Sequence, residues 1–199
     1  MDYYERIAGN FQKTIELIAN SVDTLAGPLE EAGQIMANTL LADCKIMVCG
    51  NGADAAMAQV FVSCLINGLE SERPALPAMT LAQDPASLTA IATNSGMADI
   101  YSRQICALGQ QGDVLFCIAS SDFQPNLDEA LSAARDRNIT AVILTHEGDH
   151  LRGSENRDGA VELVISRARK PRITELQTMT IHSLCEIIEL NLFGVYDQD

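Results

Sequence analysis

Two short segments carry residue types that bind oxyanions. The first is GNGAD at 50–54, between an apolar run and a helical pattern, and the second is ASSD at 119–122. Glycines let the backbone approach an anion closely, and the first N–H groups of a helix are free to bind it. Both segments also fit a simpler role, because tight turns use Gly-Asn-Gly and serines cap helices. The candidate pocket residues are Asn51, Gly52, Asp54, Ser120, Ser121 and Asp122.

An α/β sheet would position these two segments. Five short apolar runs are separated by helical patterns; the runs lie at 45–50, 74–81, 113–120, 140–146 and 160–166, and the patterns at 53–68, 97–109, 125–137 and 172–193. Strands that are apolar on both faces and separated by helices are typical of a covered parallel sheet. We therefore predict a three-layer, doubly wound α/β fold with right-handed crossovers. Such sheets bind ligands at the carboxyl ends of their strands, where both segments would lie.

Residues 3–41 have no strand signal. Apolar residues at helical spacing predict one helix from Ile7 to Val22 and a second from Leu29 to Leu40, separated at Gly27-Pro28. One sheet face cannot cover both helices. We therefore expect part of their apolar surface to contact another subunit.

Charge and apolar patterning exclude several classes of partner. The chain of 199 residues has 27 acidic and 13 basic side chains, a net charge of −14. Direct nucleic-acid binding and binding to anionic membranes both rely on Lys and Arg, so we expect neither. No apolar run reaches the roughly 20 residues of a membrane span, and the N-terminus lacks the apolar core of a signal peptide.

Cysteine usage indicates the redox compartment. None of the six cysteines forms a CxxC pair; they are Cys44, Cys49, Cys64, Cys106, Cys117 and Cys185. Several lie in apolar runs, which favours buried free thiols over disulfides or a metal site. We expect a cytoplasmic protein with no metal and no cofactor.

Four motifs, in order, resemble a sugar isomerase (SIS) domain of the phosphoheptose isomerase subfamily. They are KIMVCGNGADAAMAQVF from 45, ERPALPAMTL from 72, GDVLFCIASS from 112 and RITELQTMTIHSLCEIIE from 172. The resemblance implies a five-stranded, flavodoxin-like parallel sheet at 42–199. It also implies that an N-terminal helical segment at 1–41 packs subunits into a homotetramer.

The phosphate loops depart from the pattern of that subfamily. Asp54 occupies the position of a phosphate-binding serine, and only Ser120 and Ser121 keep hydroxyls in the second loop, where Asp122 adds a carboxylate. Like charges about 4 Å apart cost on the order of 4 kcal/mol at an effective dielectric near 20. We therefore expect a phosphosugar to bind roughly a thousandfold more weakly.

The residues at the acid–base positions also depart from the pattern of that subfamily. Isomerisation needs a base that moves a proton between two carbons and an acid at the carbonyl oxygen. His182 matches the family's histidine, but Cys64 stands where the family has its glutamate. A thiol with a pKa near 8.5 is a poor substitute for a tuned carboxylate. We therefore predict no catalytic residues and treat His182 and Cys64 as vestigial.

One branch of the subfamily has lost this chemistry. The chain is similar to the DnaA initiator-associating proteins in ERPALPAM, LTAIAT and CEIIELNLF. That resemblance implies a non-catalytic adaptor that binds the replication initiator DnaA and promotes its assembly at the chromosomal origin. Leu192 and Phe193 match the branch's initiator-binding pair. The alternative is a phosphoheptose isomerase acting on sedoheptulose 7-phosphate, or a sugar-phosphate sensor with an altered pocket.

Helical periodicity predicts where Phe193 points. At 100° per residue it shares a stripe with Glu175, His182, Glu186 and Glu189, so we expect it on the polar side of the last helix. An aromatic side chain there is a candidate anchor for a partner. Two other roles stay open, because Phe193 could fold under the tail or pack on a neighbouring subunit.

Overall fold

Five strands and six α-helices make up the part of the chain that the structure describes. The computed structural model describes residues 2–70, 72–121, 124–148, 157 and 159–194. In chain order the elements are α1 (Tyr3–Leu41), β1 (Ile46–Gly50), α2 (Ala53–Asn67), β2 (Ala78–Thr80), α3 (Pro85–Asn94), α4 (Ser102–Leu108), β3 (Val114–Ile118), α5 (Pro125–Asp136), β4 (Thr140–His146), β5 (Val161–Ile165) and α6 (Lys170–Phe193). A 3₁₀ turn, Met97–Asp99, precedes α4.

The sheet is parallel throughout and has the order β2-β1-β3-β4-β5. Side chains alternate between its faces, as the two-residue period of a strand requires. Val48 and Phe116 face a core shared with α1, α2 and α6, whereas Met47 and Leu115 face a core shared with α4 and α5. The prediction of a three-layer, five-stranded parallel fold is confirmed.

The two predicted N-terminal helices are one continuous helix, so the break at Gly27-Pro28 is wrong. Proline removes one backbone hydrogen bond and usually kinks or ends a helix. Here a buried stripe extends through the proline, from Leu25 and Leu29 to Met36, and packs with α6 and β5. Tertiary packing on both sides of Pro28 offsets the lost hydrogen bond.

Element boundaries differ where local signals are weak. Helix α3 was not predicted; it is short and none of its residues is buried. Its start is set by Asp84, whose carboxylate caps the Ala86 N–H, and by Pro85 in the first turn. The predicted helix over 97–109 divides into the 3₁₀ turn and α4, and β2 is shorter than its apolar run. Within the described ranges, no helix is long and apolar enough to span a bilayer.

Candidate functional site

The crevice between the carboxyl ends of β1 and β3 brings the two candidate segments together. These strands are adjacent at the centre of the sheet, with Cys49 in register with Cys117 and Gly50 with Ile118. From β1 the chain places β2 on one side and β3 on the other. Ligands bind in doubly wound sheets at such a switch point.

Two glycines shape the turn after β1. A Cβ on Gly50 would lie 2.7 Å from the backbone carbonyl carbon of Asp54, so only glycine allows this close approach. Gly52 has φ +60°, in the left-handed region that glycine tolerates, and nothing lies within 4 Å of where its Cβ would be. The backbone at Gly52 is therefore open to a ligand.

The side chain of Asn51 ties the two loops together. Its Nδ2 donates to Gln124 Oε1 at 2.7 Å and to Asn126 Oδ1 at 2.8 Å. Its Oδ1 accepts from Asn126 Nδ2 at 2.7 Å and from the Tyr101 hydroxyl at 3.2 Å. With these partners, Asn51 is a scaffold of the crevice.

Tyr101 also holds the turn after β1 in place. Its hydroxyl donates to the Gly50 carbonyl oxygen and the residue is buried. Burial is the main cause that raises its pKa well above the ordinary value for a tyrosine. The phenol therefore stays protonated and remains a hydrogen-bond donor.

The side chain of Asp54 points into the protein interior. The residue is 1% exposed, and its Oδ2 accepts both the backbone N–H and the hydroxyl of Ser120, each at 2.9 Å. Its Oδ1 accepts Gln177 Nε2 at 3.3 Å, and the buried Oε1 of Gln177 has no hydrogen-bond partner. The carboxylate thus occupies donors of Ser120 that would otherwise face an anion.

Lys170 places a cation at the mouth of the crevice. Its Nζ donates to Ser121 Oγ at 2.8 Å. Lys170 is the first residue of α6 and lies in the basic run RARKPR at 167–172, which is exceptional in so acidic a chain. Asp122, the remaining predicted pocket residue, lies outside the described residues.

Cys64 and His182 lie on neighbouring helices, α2 and α6. The interaction of the half-buried Cys64 thiol with the Cys185 thiol is the main cause that lowers the pKa of Cys64 to about 7. His182 is exposed, three residues before Cys185. Side chains three apart on a helix are neighbours, so His182 lies next to Cys185 on α6.

Sequence reasoning missed five residues that build the site. They are Tyr101, Gln124, Asn126, Lys170 and Gln177. The basic run at 167–172 was a signal that could have identified Lys170. Nothing local marks the other four, since each acts on a residue more than 50 positions away. The described part of the chain holds no group of three His, Cys, Asp or Glu side chains suited to a metal ion.

Leu192 and Phe193 lie at the other end of α6. Phe193 is its last residue and is 38% exposed, whereas Leu192 is half-buried against the main core. Glu189 does not share the exposure of Phe193, because it is buried beside Arg73.

Comparisons with known proteins agree with this architecture. The model of the SIS domain family matches residues 10–146. A phosphoheptose isomerase of Aromatoleum aromaticum is 39% identical over 198 residues, covering 100% of both chains. Another, from Chromohalobacter salexigens, is 38% identical over 195 residues, covering 98% of each.

Two solved structures share the fold. The phosphoheptose isomerase of Neisseria gonorrhoeae has a TM-score of 0.86 at 33% identity, covering 94% of this chain and 99% of its own. That of Francisella tularensis has a TM-score of 0.90 at 30% identity, covering 94% and 98%. Both are similar over almost their whole length.

The interpretation of this chain as a non-catalytic DnaA adaptor is wrong. The relatives that match it over their full length are named phosphoheptose isomerase. That interpretation assumed that Asp54 and Cys64 had abolished the family chemistry. In the structure the Asp54 carboxylate is drawn into internal hydrogen bonds, and the Cys64 thiol is more acidic than an ordinary cysteine. The fold, the crevice and the full-length similarity together show that this chain belongs to the SIS domain family, in its phosphoheptose isomerase-like group.

Proposed function

We propose that the chain binds a phosphorylated sugar in the β1–β3 crevice and interconverts its ketose and aldose forms. The observation that carries this proposal is the contact of Lys170 Nζ with Ser121 Oγ at 2.8 Å. It places a cation beside a hydroxyl at the carboxyl end of β3, where a phosphate oxygen can accept from both. The family to which the chain belongs supports the reaction class.

The surrounding charges favour an anionic ligand. The basic run at 167–172 carries four cations, of which Arg172 is ion-paired with Glu175, although the chain as a whole has a net charge of −14. Clustered charge of one sign beside a crevice concentrates a ligand of the opposite sign. The Asp54 carboxylate works against this, but it faces Ser120 and Gln177 inside the protein.

Cys64 and His182 are the candidates for proton transfer. With its pKa lowered to about 7, Cys64 is about half thiolate at neutral pH, and a base with a pKa near the working pH is efficient. The exposed His182 on the adjacent helix would serve the carbonyl oxygen. The sequence predicted neither role, because a thiol of ordinary acidity is a poor base.

One chain does not bring this pair to its own crevice. Cys64 lies ten residues after Asp54 in α2, about 15 Å along the helix. That is longer than a seven-carbon sugar phosphate. We therefore propose a homotetramer in which the Cys64–His182 pair of one subunit serves the crevice of another.

The exposed face of α1 supports assembly. Within residues 3–22 of this helix six large apolar side chains are exposed, each at least 55%; they are Tyr3, Tyr4, Ile7, Phe11, Ile15 and Val22. Contiguous apolar patches of this kind mark interaction sites. Packing α1 against a second copy would remove them from water.

Turnover of sedoheptulose 7-phosphate tests the reaction. We expect the wild-type protein to convert the ketose to the aldose, and His182→Ala and Cys64→Ser to lose at least a hundredfold in kcat, the low end for general acid–base catalysis. Cys106→Ser, at an exposed thiol outside the site, is the control and should keep full activity. Wild type without turnover, or equal rates in all variants, would contradict the proposed reaction.

Binding of the same sugar tests the crevice separately. Lys170→Ala should weaken the affinity about tenfold to a hundredfold, because a charge-assisted hydrogen bond contributes about 1.5–3 kcal/mol. Lys13→Ala removes the same charge from an exposed position on α1 and should leave affinity unchanged. Equal affinities for wild type and Lys170→Ala would place the phosphate elsewhere.

A further inference from the structure

We propose that Gln124 is a positioning residue for the phosphate contact: its side-chain amide holds the loop after β3 so that Ser121, and not Ser120, donates a hydroxyl hydrogen to the ligand. This role rests on the proposed binding of a sugar phosphate in the crevice. It gives two adjacent serines different tasks and assigns their support to a residue that does not itself contact the ligand.

Gln124 is fixed at the start of α5. Its backbone carbonyl oxygen accepts the N–H groups of Leu127 at 2.9 Å and Asp128 at 3.2 Å, which are the first hydrogen bonds of that helix. The residue is buried, and Pro125 follows it in the first turn. A side chain on the end of a helix is held more precisely than one on a loop, so the Gln124 amide can act as a support.

Asn51 sets the orientation of the Gln124 amide. Asn51 Nδ2 donates to Gln124 Oε1 at 2.7 Å, so this side of the amide is the acceptor oxygen. The other side is the Nε2 donor, which donates to the backbone carbonyl oxygen of Ser121 at 2.9 Å. Gln124 therefore connects the turn after β1 to the loop after β3 through two hydrogen bonds of defined direction.

Asn51 has no hydrogen-bonding capacity left for a ligand. A side-chain amide has two N–H donors and an oxygen with two acceptor sites. The donors are used by Gln124 and Asn126, and the oxygen accepts from Asn126 Nδ2 and from the Tyr101 hydroxyl. Asn51 and Gln124 thus support the loop, and the ligand contact falls to the serines.

The two serines differ in the hydrogen that each hydroxyl can offer. Ser120 Oγ donates to Asp54 Oδ2 at 2.9 Å, and the residue is buried. Ser121 Oγ accepts from Lys170 Nζ at 2.8 Å and is half-buried, so its hydroxyl hydrogen remains available for a ligand. Of the two, Ser121 alone combines a donor, access to the crevice and a neighbouring cation. An anion in the crevice should therefore be bound by Ser121 together with Lys170.

Loss of the Gln124 amide should weaken the affinity for the phosphate group. Gln124→Met keeps the length of the side chain but releases the Ser121 carbonyl oxygen, so the hydroxyl loses its fixed position beside Lys170. We expect sedoheptulose 7-phosphate to bind about tenfold more weakly. Because the phosphate is remote from the reacting carbons, KM should rise by a similar factor while kcat changes little. Unchanged affinity and KM would overturn the proposal.

A double-mutant cycle tests whether Gln124 acts through Ser121. Calorimetry on the full chain measures the affinity for sedoheptulose 7-phosphate when Gln124→Met is added to Ser121→Ala and, separately, to Ser120→Ala. Residues that act through one contact are not additive, so the change should weaken binding by less than about twofold in the Ser121→Ala background. In the Ser120→Ala background it should still weaken binding about tenfold. Effects of equal size in the two backgrounds would overturn the proposal.

Two further variants keep the test sharp. Gln110→Met, at an exposed glutamine before the opposite end of β3, is the matched control and should bind as wild type does. Gln124→Glu can still accept from Asn51 but cannot donate to Ser121, so it should bind at least as weakly as Gln124→Met and serves if the latter folds poorly. Wild type that binds no sugar phosphate would overturn the proposed function as well, whereas binding that is the same in both Gln124 variants and wild type would overturn only the role of Gln124.

Discussion

Arg73 and Glu189 form a buried ion pair that fixes the segment before β2 against α6. Glu189 Oε1 lies 2.7 Å from Arg73 Nη2 and 2.8 Å from its Nε, and also accepts the Leu69 N–H at 3.1 Å. The other guanidinium donors bond the carbonyl oxygens of Cys64, Leu65 and Pro74. Arg73 thereby adds a second hydrogen bond to the carbonyl oxygens of Cys64 and Leu65 at the end of α2, which also accept the backbone N–H groups of Gly68 and Leu76.

Removing one partner of this pair should destabilise the fold. Glu189→Ala leaves a buried guanidinium without its counter-charge, and we expect a loss of about 3–5 kcal/mol in the free energy of unfolding. Glu186→Ala, at an exposed position on the same helix, is the matched control and should stay within about 0.5 kcal/mol. Urea unfolding of both variants measures the difference. Equal midpoints would show that the ion pair adds no stability.

Replacing Asp54 should strengthen binding of phosphate groups. Asp54→Ser removes a negative charge near the crevice and releases the Ser120 N–H and hydroxyl that the carboxylate now occupies. We expect a gain of roughly tenfold in affinity for sedoheptulose 7-phosphate, equal to about 1.4 kcal/mol. Calorimetric titration measures this gain. Unchanged affinity would mean that the two Ser120 donors do not reach the ligand.

Alkylation of Cys64 should follow its lowered pKa. Because the thiolate reacts and the thiol does not, the rate with iodoacetamide should rise with pH through a midpoint of about 7 and fall about tenfold per pH unit below pH 6. Cys185→Ala removes the neighbouring thiol whose interaction lowers this pKa, so the midpoint should move up toward about 8.5. Mass spectrometry of the Cys64 peptide follows each rate. A midpoint that stays in place would assign the acidity to another group.

A charge on the apolar face of α1 should disrupt assembly. Phe11→Glu places a carboxylate where the exposed aromatic ring of Phe11 would contact another subunit. Light scattering should show a tetramer for wild type and smaller species for the variant. Met97→Glu, at an apolar residue 63% exposed outside α1, should keep the wild-type mass. A wild-type monomer at micromolar concentration would contradict the proposed tetramer.

Local periodicity determined the fold class of this protein. The runs that became β1, β3 and β4 are apolar on both faces and separated by helical patterns, and only a parallel sheet covered on both sides buries such strands. The parallel sheet also places the segments after β1 and β3 at one edge. The position of the crevice could therefore be predicted, together with Asn51, Gly52 and Ser120 as its residues.

Only the tertiary structure decided what individual side chains do there. Helical spacing put Glu189 on a polar, exposed stripe, but the guanidinium of Arg73, 116 positions earlier, makes its burial favourable. Asp54 is similarly held by Ser120, and Lys170 reaches Ser121 from a helix that begins 49 residues later. The free energy of a buried charge depends on the partners around it, and a repeating local pattern carries no information about partners so distant in the chain.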